Sequence, residues 1–369
     1  MALLASTAAA VAQPGPQPRP VQEAPDVAVT RDEARATAAE LAAKLEQRYV
    51  FPDVAKRYAD MLRSNAESGA YDGFTSGRAL AERLTADLRA VSPDAHLRVG
   101  LRPPGAGPRP AAASSEAPAT PRRFPWEPIE EARQIAPGIA YIRFNVFPGD
   151  EATVAAVKKF MTDNAGAKTI IFDNRTHHGG GLAEMNAMFP YLFAKPTTLV
   201  TMDTRTSVAR EDAGEPEEPM LRLVPTTEDV VRHEHYVNPD PTEKRLFKAK
   251  VFVLTSGATA SAAEHMTLSL KRTHRATIIG EPTAGAGHYG GVQRIGHKFG
   301  VFIPVGRTFD PDTGKDWEGS GIDPDVAVPA ADALTEALVR SGLQRAEAQR
   351  ISDGIKPSGP MTRRNPRPS

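Results

Sequence analysis

Thr255 to Met266 reads TSGATASAAEHM, small and hydroxyl-bearing residues set between the apolar run Val251 to Leu254 and a helical pattern. A residue at such a strand-to-helix corner projects its side chain from a sheet end, and the helix's first amides point at whatever binds there. Attack by a serine at that corner creates an oxyanion beside the next amide, which assigns the nucleophilic hydroxyl to Ser261 and a donor to Ala262. Plain helix capping by Thr259 or Ser261 is the bland alternative. A second stretch, Asp173 to Gly181 (DNRTHHGGG), directly follows the apolar strand pattern of Lys168 to Phe172. Its glycines let the backbone approach a bound group with amides to spare, so one reading makes Gly179 or Gly180 the second oxyanion donor, and the bland alternative is a tight turn. No Lys-Ser or Lys-Thr follows them, which rejects a phosphate-binding loop.

A serine hydroxyl is a poor nucleophile near neutral pH, and histidine is the side chain that titrates there unperturbed. His96, His265 and His288 are the candidate bases. His265 follows Ser261 by one helical turn but points along the helix, and His288 lies in a glycine-rich stretch. The pairs His177, His178 and His233, His235 lack ligand spacing and companion ligands, the second pair falling in what reads as a polar loop. No metal or other cofactor is expected.

Holding these residues requires a sheet with helices, and the pattern from residue 129 to 352 supplies it as strand–turn–helix units. Gly138 to Val146, Lys168 to Phe172, Val251 to Leu254 and Ala276 to Ile279 read as strands; Glu151 to Met161, Leu182 to Phe193 and Ser261 to Lys271 read as helices. A last helix is expected over 331–351. This alternation predicts an α/β core with largely parallel strands. Residues 30–100 read as a small helical N-terminal domain, opened by the capping-box spacing of Thr30 and Glu33, with Pro52 starting a second helix. A Pro/Ala-rich linker covers 101–128, and disordered segments cover 13–29 and 353–369.

Composition narrows the function classes. The 45 basic and 45 acidic side chains balance, so the excess typical of a nucleic-acid binder is missing. Cysteine is absent, which removes disulfides, thiolate zinc sites and a cysteine nucleophile. Residues 1–12, MALLASTAAAVA, read as a signal peptide cleaved after Ala12 and place the chain in the periplasm or outside the cell. No later run is long enough for membrane insertion.

In this order and spacing, several segments resemble the carboxy-terminal-processing and tricorn serine-peptidase family, in the branch holding the interphotoreceptor retinoid-binding protein modules. They are YVFPDVA (49–55), DAHLRV (94–99), GIAYIRFNVF (138–147), residues 170–180, VLTSGATASAAE (253–264), GEPTAGAGH (280–288) and DPDTGKDWEGSGIDPD (310–325). The resemblance implies a crotonase-like α/β core without a PDZ insert and a peptide or protein substrate. It also implies Ser261 as nucleophile. The family's lysine base has no counterpart in TAGAGHYG (283–290), so the resemblance turns to the tricorn-like branch, with His96 as base and Glu318 as its partner. That branch carries a serine before the histidine where this chain has Ala95, leaving a water or Asp94 to bridge Glu318 to His96. His288 is the alternative base. Two rivals remain: a catalytically silent module binding an apolar ligand or peptide, and an acyl-CoA enzyme polarising a thioester without the serine.

Overall fold

The computed structural model describes residues 25–94, 96–102, 126–211 and 219–362. The expected signal peptide and most of the expected linker lie outside them. Helix α1 (Arg31–Arg48) opens at the capping box: Glu33 N donates to Thr30 Oγ1 at 3.3 Å, and Thr30 N donates to the Glu33 carboxylate at 2.9 Å. Helix α2 (Pro52–Glu67) begins on its proline, where a missing N–H costs nothing, and α3 (Gly77–Val91) is capped by Ser76. Their apolar faces, including Leu41, Leu45, Tyr58, Leu62, Leu84 and Leu88, share one buried cluster with Val99, Ile295, Phe299, Val301 and Ile303. The helices therefore cover a sheet instead of closing a core among themselves.

Strand β1 (Arg98–Leu101) belongs to that sheet, whereas β2 (Ile129–Ala136) and β3 (Ile139–Phe144) open a second one. The connection between β1 and β2 is shorter than an ordinary folded domain, so a PDZ module has no room there. Next come α4 (Glu151–Asp163), β4 (Thr169–Asp173), α5 (Ala183–Met188), β5 (Thr197–Arg205), α6 (Thr206–Glu211), β6 (Leu221–Val224) and β7 (Val230–Val237). The chain continues through β8 (Lys250–Thr255), α7 (Ala262–Arg272), β9 (Thr277–Gly280), β10 (His288–Ile295), β11 (Phe299–Phe309), β12 (Val326–Ala327), α8 (Ala333–Arg340) and α9 (Arg345–Gly354).

The second sheet has the order β12-β9-β8-β4-β3-β2, with β2 antiparallel at one edge and the remaining pairs parallel. Every residue of β3 and β4 is buried, as expected of strands covered on both faces. One face packs with Phe160, Met188 and Met266, the other with Leu334 and Leu338. The α/β architecture follows the alternation in the sequence.

Three local expectations change. The helix expected over 331–351 is two helices, because the chain turns at Gly342 with φ +110°. The first sheet is antiparallel, in the order β1-β11-β5-β7-β6 with β10 on β11, and it takes in His233 and His235 on β7, a stretch read as loop. The tails read as disordered are shorter: Val29 is buried, Ala28 bridges Ser76, and Ser358 N donates to Glu130 at 2.9 Å.

Candidate functional site

Strands β4 and β8 lie side by side and parallel, so the glycine loop after Asp173 and the small-residue loop after Thr255 leave the same end of the sheet. That end is where an open parallel sheet presents ligand-binding loops. Buried hydrogen bonds tie the two loops together: Thr259 Oγ1 donates to Asn174 O at 2.7 Å, Ser256 Oγ to Arg175 O at 2.6 Å, and Ala260 N to His177 O at 3.0 Å. Thr259 is thus spent across the loops and does not cap α7. Ser261 sits just ahead of α7 with φ 56° and ψ −119°, a backbone conformation that a non-glycine residue holds only when its surroundings impose it. Part of the imposition is Glu264, whose buried carboxylate accepts from Ser261 N at 2.8 Å.

Gly179, at φ +100°, faces the serine directly. A Cβ there would stand 2.7 Å from Ser261 Cβ and 3.2 Å from Ser261 Oγ, so only glycine fits beside the hydroxyl. Its amide donates to His177 Nδ1 at 3.0 Å, which fixes the His177 proton on Nε2 and spends the Gly179 donor. Of the two glycines expected at an oxyanion hole, Gly179 thus has its amide engaged.

The same carboxylate of Glu264 accepts from Thr283 Oγ1 and Gly285 N at 2.6 Å each and from Ala286 N at 2.8 Å. The next two amides turn to a second carboxylate: Gly287 N and His288 N donate to Glu318 at 2.7 and 3.0 Å. One short loop is thereby strung between the glutamate behind Ser261 and Glu318. His96 Nδ1 lies 3.6 Å from Glu318 and has no hydrogen-bond partner, while its ring stacks on Phe302. The structure brings His96 and Glu318 together. It shows no hydrogen bond from Ser261 Oγ to an imidazole among the described residues.

The other candidate bases are engaged elsewhere. His265 Nε2 pairs with His235 Nδ1 at 2.8 Å, and His235 Nε2 with Asn186 at 2.9 Å, a buried chain leading away from the serine. Burial pushes His265 well down, and pushes His235 and His177 to about 3. These two rings are neutral in the fold and titrate near 6.5 once unfolded, so the unfolded state binds more protons below that pH. Between pH 6.5 and 5 each should remove roughly 1 kcal/mol of stability per pH unit, read from urea midpoints, and His235→Gln should flatten the slope. A flat stability profile across that window would contradict their burial as neutral rings.

His288 Nδ1 bonds the Asp94 carboxylate at 2.8 Å and lies 3.8 Å from Glu318, with Asp316 3.7 Å from Nε2. Burial alone would depress this ring; the surrounding Asp316, Asp94 and Glu318 carboxylates outweigh it and raise the pKa to about 10. Asp94 is opposed by its own burial, yet His288 holds it below the usual carboxylate range. Asp94, His288 and Glu318 place ligand atoms within 4.8 Å of one another, close enough for a cation. Held with both protons, the His288 ring would itself supply positive charge there.

Comparison with known proteins fits this geometry. The profile of peptidase family S41 matches residues 138–328, over half of the chain, and that of the N-terminal domain of peptidase S41 in eukaryotic IRBP matches residues 20–136. The chain belongs to peptidase family S41. A chloroplastic carboxyl-terminal-processing peptidase 1 of Arabidopsis thaliana is 31% identical over 102 residues, 27% of this chain and only 21% of that protein's length. Among solved structures, a photosystem II D1 C-terminal processing protease aligns with TM-score 0.50 at 16% identity, covering 80% of this chain and 93% of that one. A candidate peptidase from Parabacteroides merdae aligns with TM-score 0.54 at 14% identity, covering 85% and 97%. At such identities these likenesses are of fold. Among the described residues no helix is long and apolar enough to cross a membrane.

Within this S41 chain the sequence reasoning missed Glu264 and the buried charges beneath the glycine loop. Glu264 follows Ser261 at capping-box spacing, a signal that was available. Asp173 and Arg175 were visible only as loop residues. Asp173 is fully buried, and Arg175 donates to its two carboxylate oxygens at 2.8 and 2.7 Å.

Proposed function

We propose that the chain is a serine peptidase that forms an acyl-enzyme on Ser261. Ser261 Oγ attacks the scissile carbonyl while His96 takes its proton, with Glu318 favouring the imidazolium so formed. The amides of Gly180 and Ala262 receive the oxyanion, the second aided by the positive end of α7. His96 then returns the proton to the leaving amine, and water releases the acyl group by the reverse route. The observation that carries this reading is the strained Ser261 corner, set at a helix start with Gly179 against its side chain. Strain kept at one polar residue in a well-packed loop pair is characteristic of functional positions. The missing Ser261–imidazole hydrogen bond favours a second reading, a silent scaffold that binds an apolar ligand or peptide; against it, such bonds often tighten only when substrate arrives.

A fluorophosphonate probe separates the two. Covalent adduct on the tryptic peptide containing Ser261, located by mass spectrometry and lost in Ser261→Ala, is the expected result. Absence of any adduct on the folded parent protein would overturn Ser261 as nucleophile and favour the silent scaffold.

A further inference from the structure

The ring of His288 occupies the junction between the base-bearing segment and the Glu318 loop. On one side Asp94 accepts from His96 N at 2.9 Å and Leu97 N at 3.0 Å through Oδ1, and from Tyr49 through Oδ2 at 2.9 Å. On the other, Glu318 is held by the amides of Gly287 and His288 itself. Its Nδ1 bonds Asp94 at 2.8 Å and stands 3.8 Å from Glu318, and the side chain is 6% exposed. Around it stand Asp94 and Tyr49 from the helical region, Asp316 and Glu318 from the loop after β11, and Arg307 of β11, whose guanidinium lies 3.8 Å from Asp316. The remaining neighbours in this group are His96, 3.6 Å from Glu318, and the ring of Phe51.

Three carboxylates at such distances repel one another unless a cation sits among them. The base segment is fastened to the core through Asp94, and its partner carboxylate is Glu318, so whatever holds that pair together sets the approach of His96 to Glu318. With Ala95 offering no hydroxyl, no side chain from that position can make the link. We propose that His288 is a positioning residue: a standing imidazolium that clasps Asp94 to Glu318, holds His96 in register with its carboxylate and moderates the negative field on it. This deepens the assignment of Ser261, His96 and Glu318 and rests on it. It also removes His288 from the role of base, because a ring already carrying both protons has no lone pair to accept another.

The test is the pH dependence of fluorophosphonate labelling at Ser261 in the parent and in His288→Asn. Loss of the positive charge leaves His96 in a more negative field, so the acid limb of the labelling rate should move up by about one pH unit. The plateau rate should fall by about tenfold as the base loses its register. An unshifted limb, or labelling abolished at every pH as expected for loss of a base, overturns the proposal. Should His288→Asn fail to fold, imidazole nitrogen shifts in the parent protein decide. A ring protonated at both nitrogens up to about pH 9 upholds the clasp, and a ring titrating near 6.5 overturns it. A parent protein that never labels defeats the peptidase reading, while those nitrogen shifts still judge the clasp.

Discussion

Ser261→Ala should turn over a peptide substrate at least about 10⁴-fold more slowly than the parent, and His96→Ala should lose a similar amount. Alanine keeps the Cβ of Ser261, so the strained corner and its contact with Gly179 survive and the fold should be unaltered by circular dichroism. What is lost is the bond-forming oxygen in one variant and its proton acceptor in the other. Because the two act as a unit, the double variant should be no slower than the poorer single, with oxyanion donors and substrate binding supplying the residue of activity. Glu318→Gln keeps shape and the two loop amides' acceptor but removes charge, and should fall between parent and His96→Ala. The comparison needs a peptide that the parent cleaves, chosen by library digestion. Turnover by Ser261→Ala within tenfold of the parent would sink the mechanism and favour the thioester chemistry that needs no serine.

How far these residues could be placed from sequence depended on what positions them. Ser261, Ala262 and Gly180 follow short strands with apolar centres, where a buried parallel strand and the loop after it are set by local pattern alone. His96 was one of three candidate bases until family likeness singled it out with Glu318, because their meeting is tertiary: one leaves α3, the other follows β11, and nothing local pairs them. The antiparallel sheet was missed because its strands mix polar and apolar residues: β10 is buried only at its two ends and alternates half-buried and exposed between them, and β7 is half-buried with two buried positions. Strands of that kind look like loops until they pair. His235 shows the cost of that error, since a histidine read in a polar loop proves to be wholly buried and paired with His265.

The buried charges under the glycine loop were the least legible, and they carry the largest expected effect on stability. Asp173 ends β4 with both oxygens taken: Arg175 bonds each of them, Tyr141 donates at 2.5 Å, and Arg143 at 3.1 Å. Burial would raise this carboxyl, but the two guanidiniums outweigh it and hold it well below the usual range. Arg175 also donates to Ala330 O at 2.8 Å, and Arg143 to Ile355 O, so the cluster joins β4 to the helical face behind the sheet. Asp173→Ala leaves two buried guanidiniums with backbone carbonyls and, among the described residues, the carboxylate of Glu130 3.2 Å from Arg143. Breaking a buried pair by removing one partner costs about 3–5 kcal/mol, and the urea midpoint should drop accordingly. The sign with pH follows: a carboxyl depressed in the fold stabilises it above the ordinary aspartate pKa, and that contribution fades as acid is added below it. The parent should therefore lose this stability below about pH 4, while Asp173→Ala, already without it, should not lose it a second time. A drop of less than about 1 kcal/mol in Asp173→Ala would mean that the guanidiniums find water or new partners, and that the glycine loop does not depend on this charge for its position.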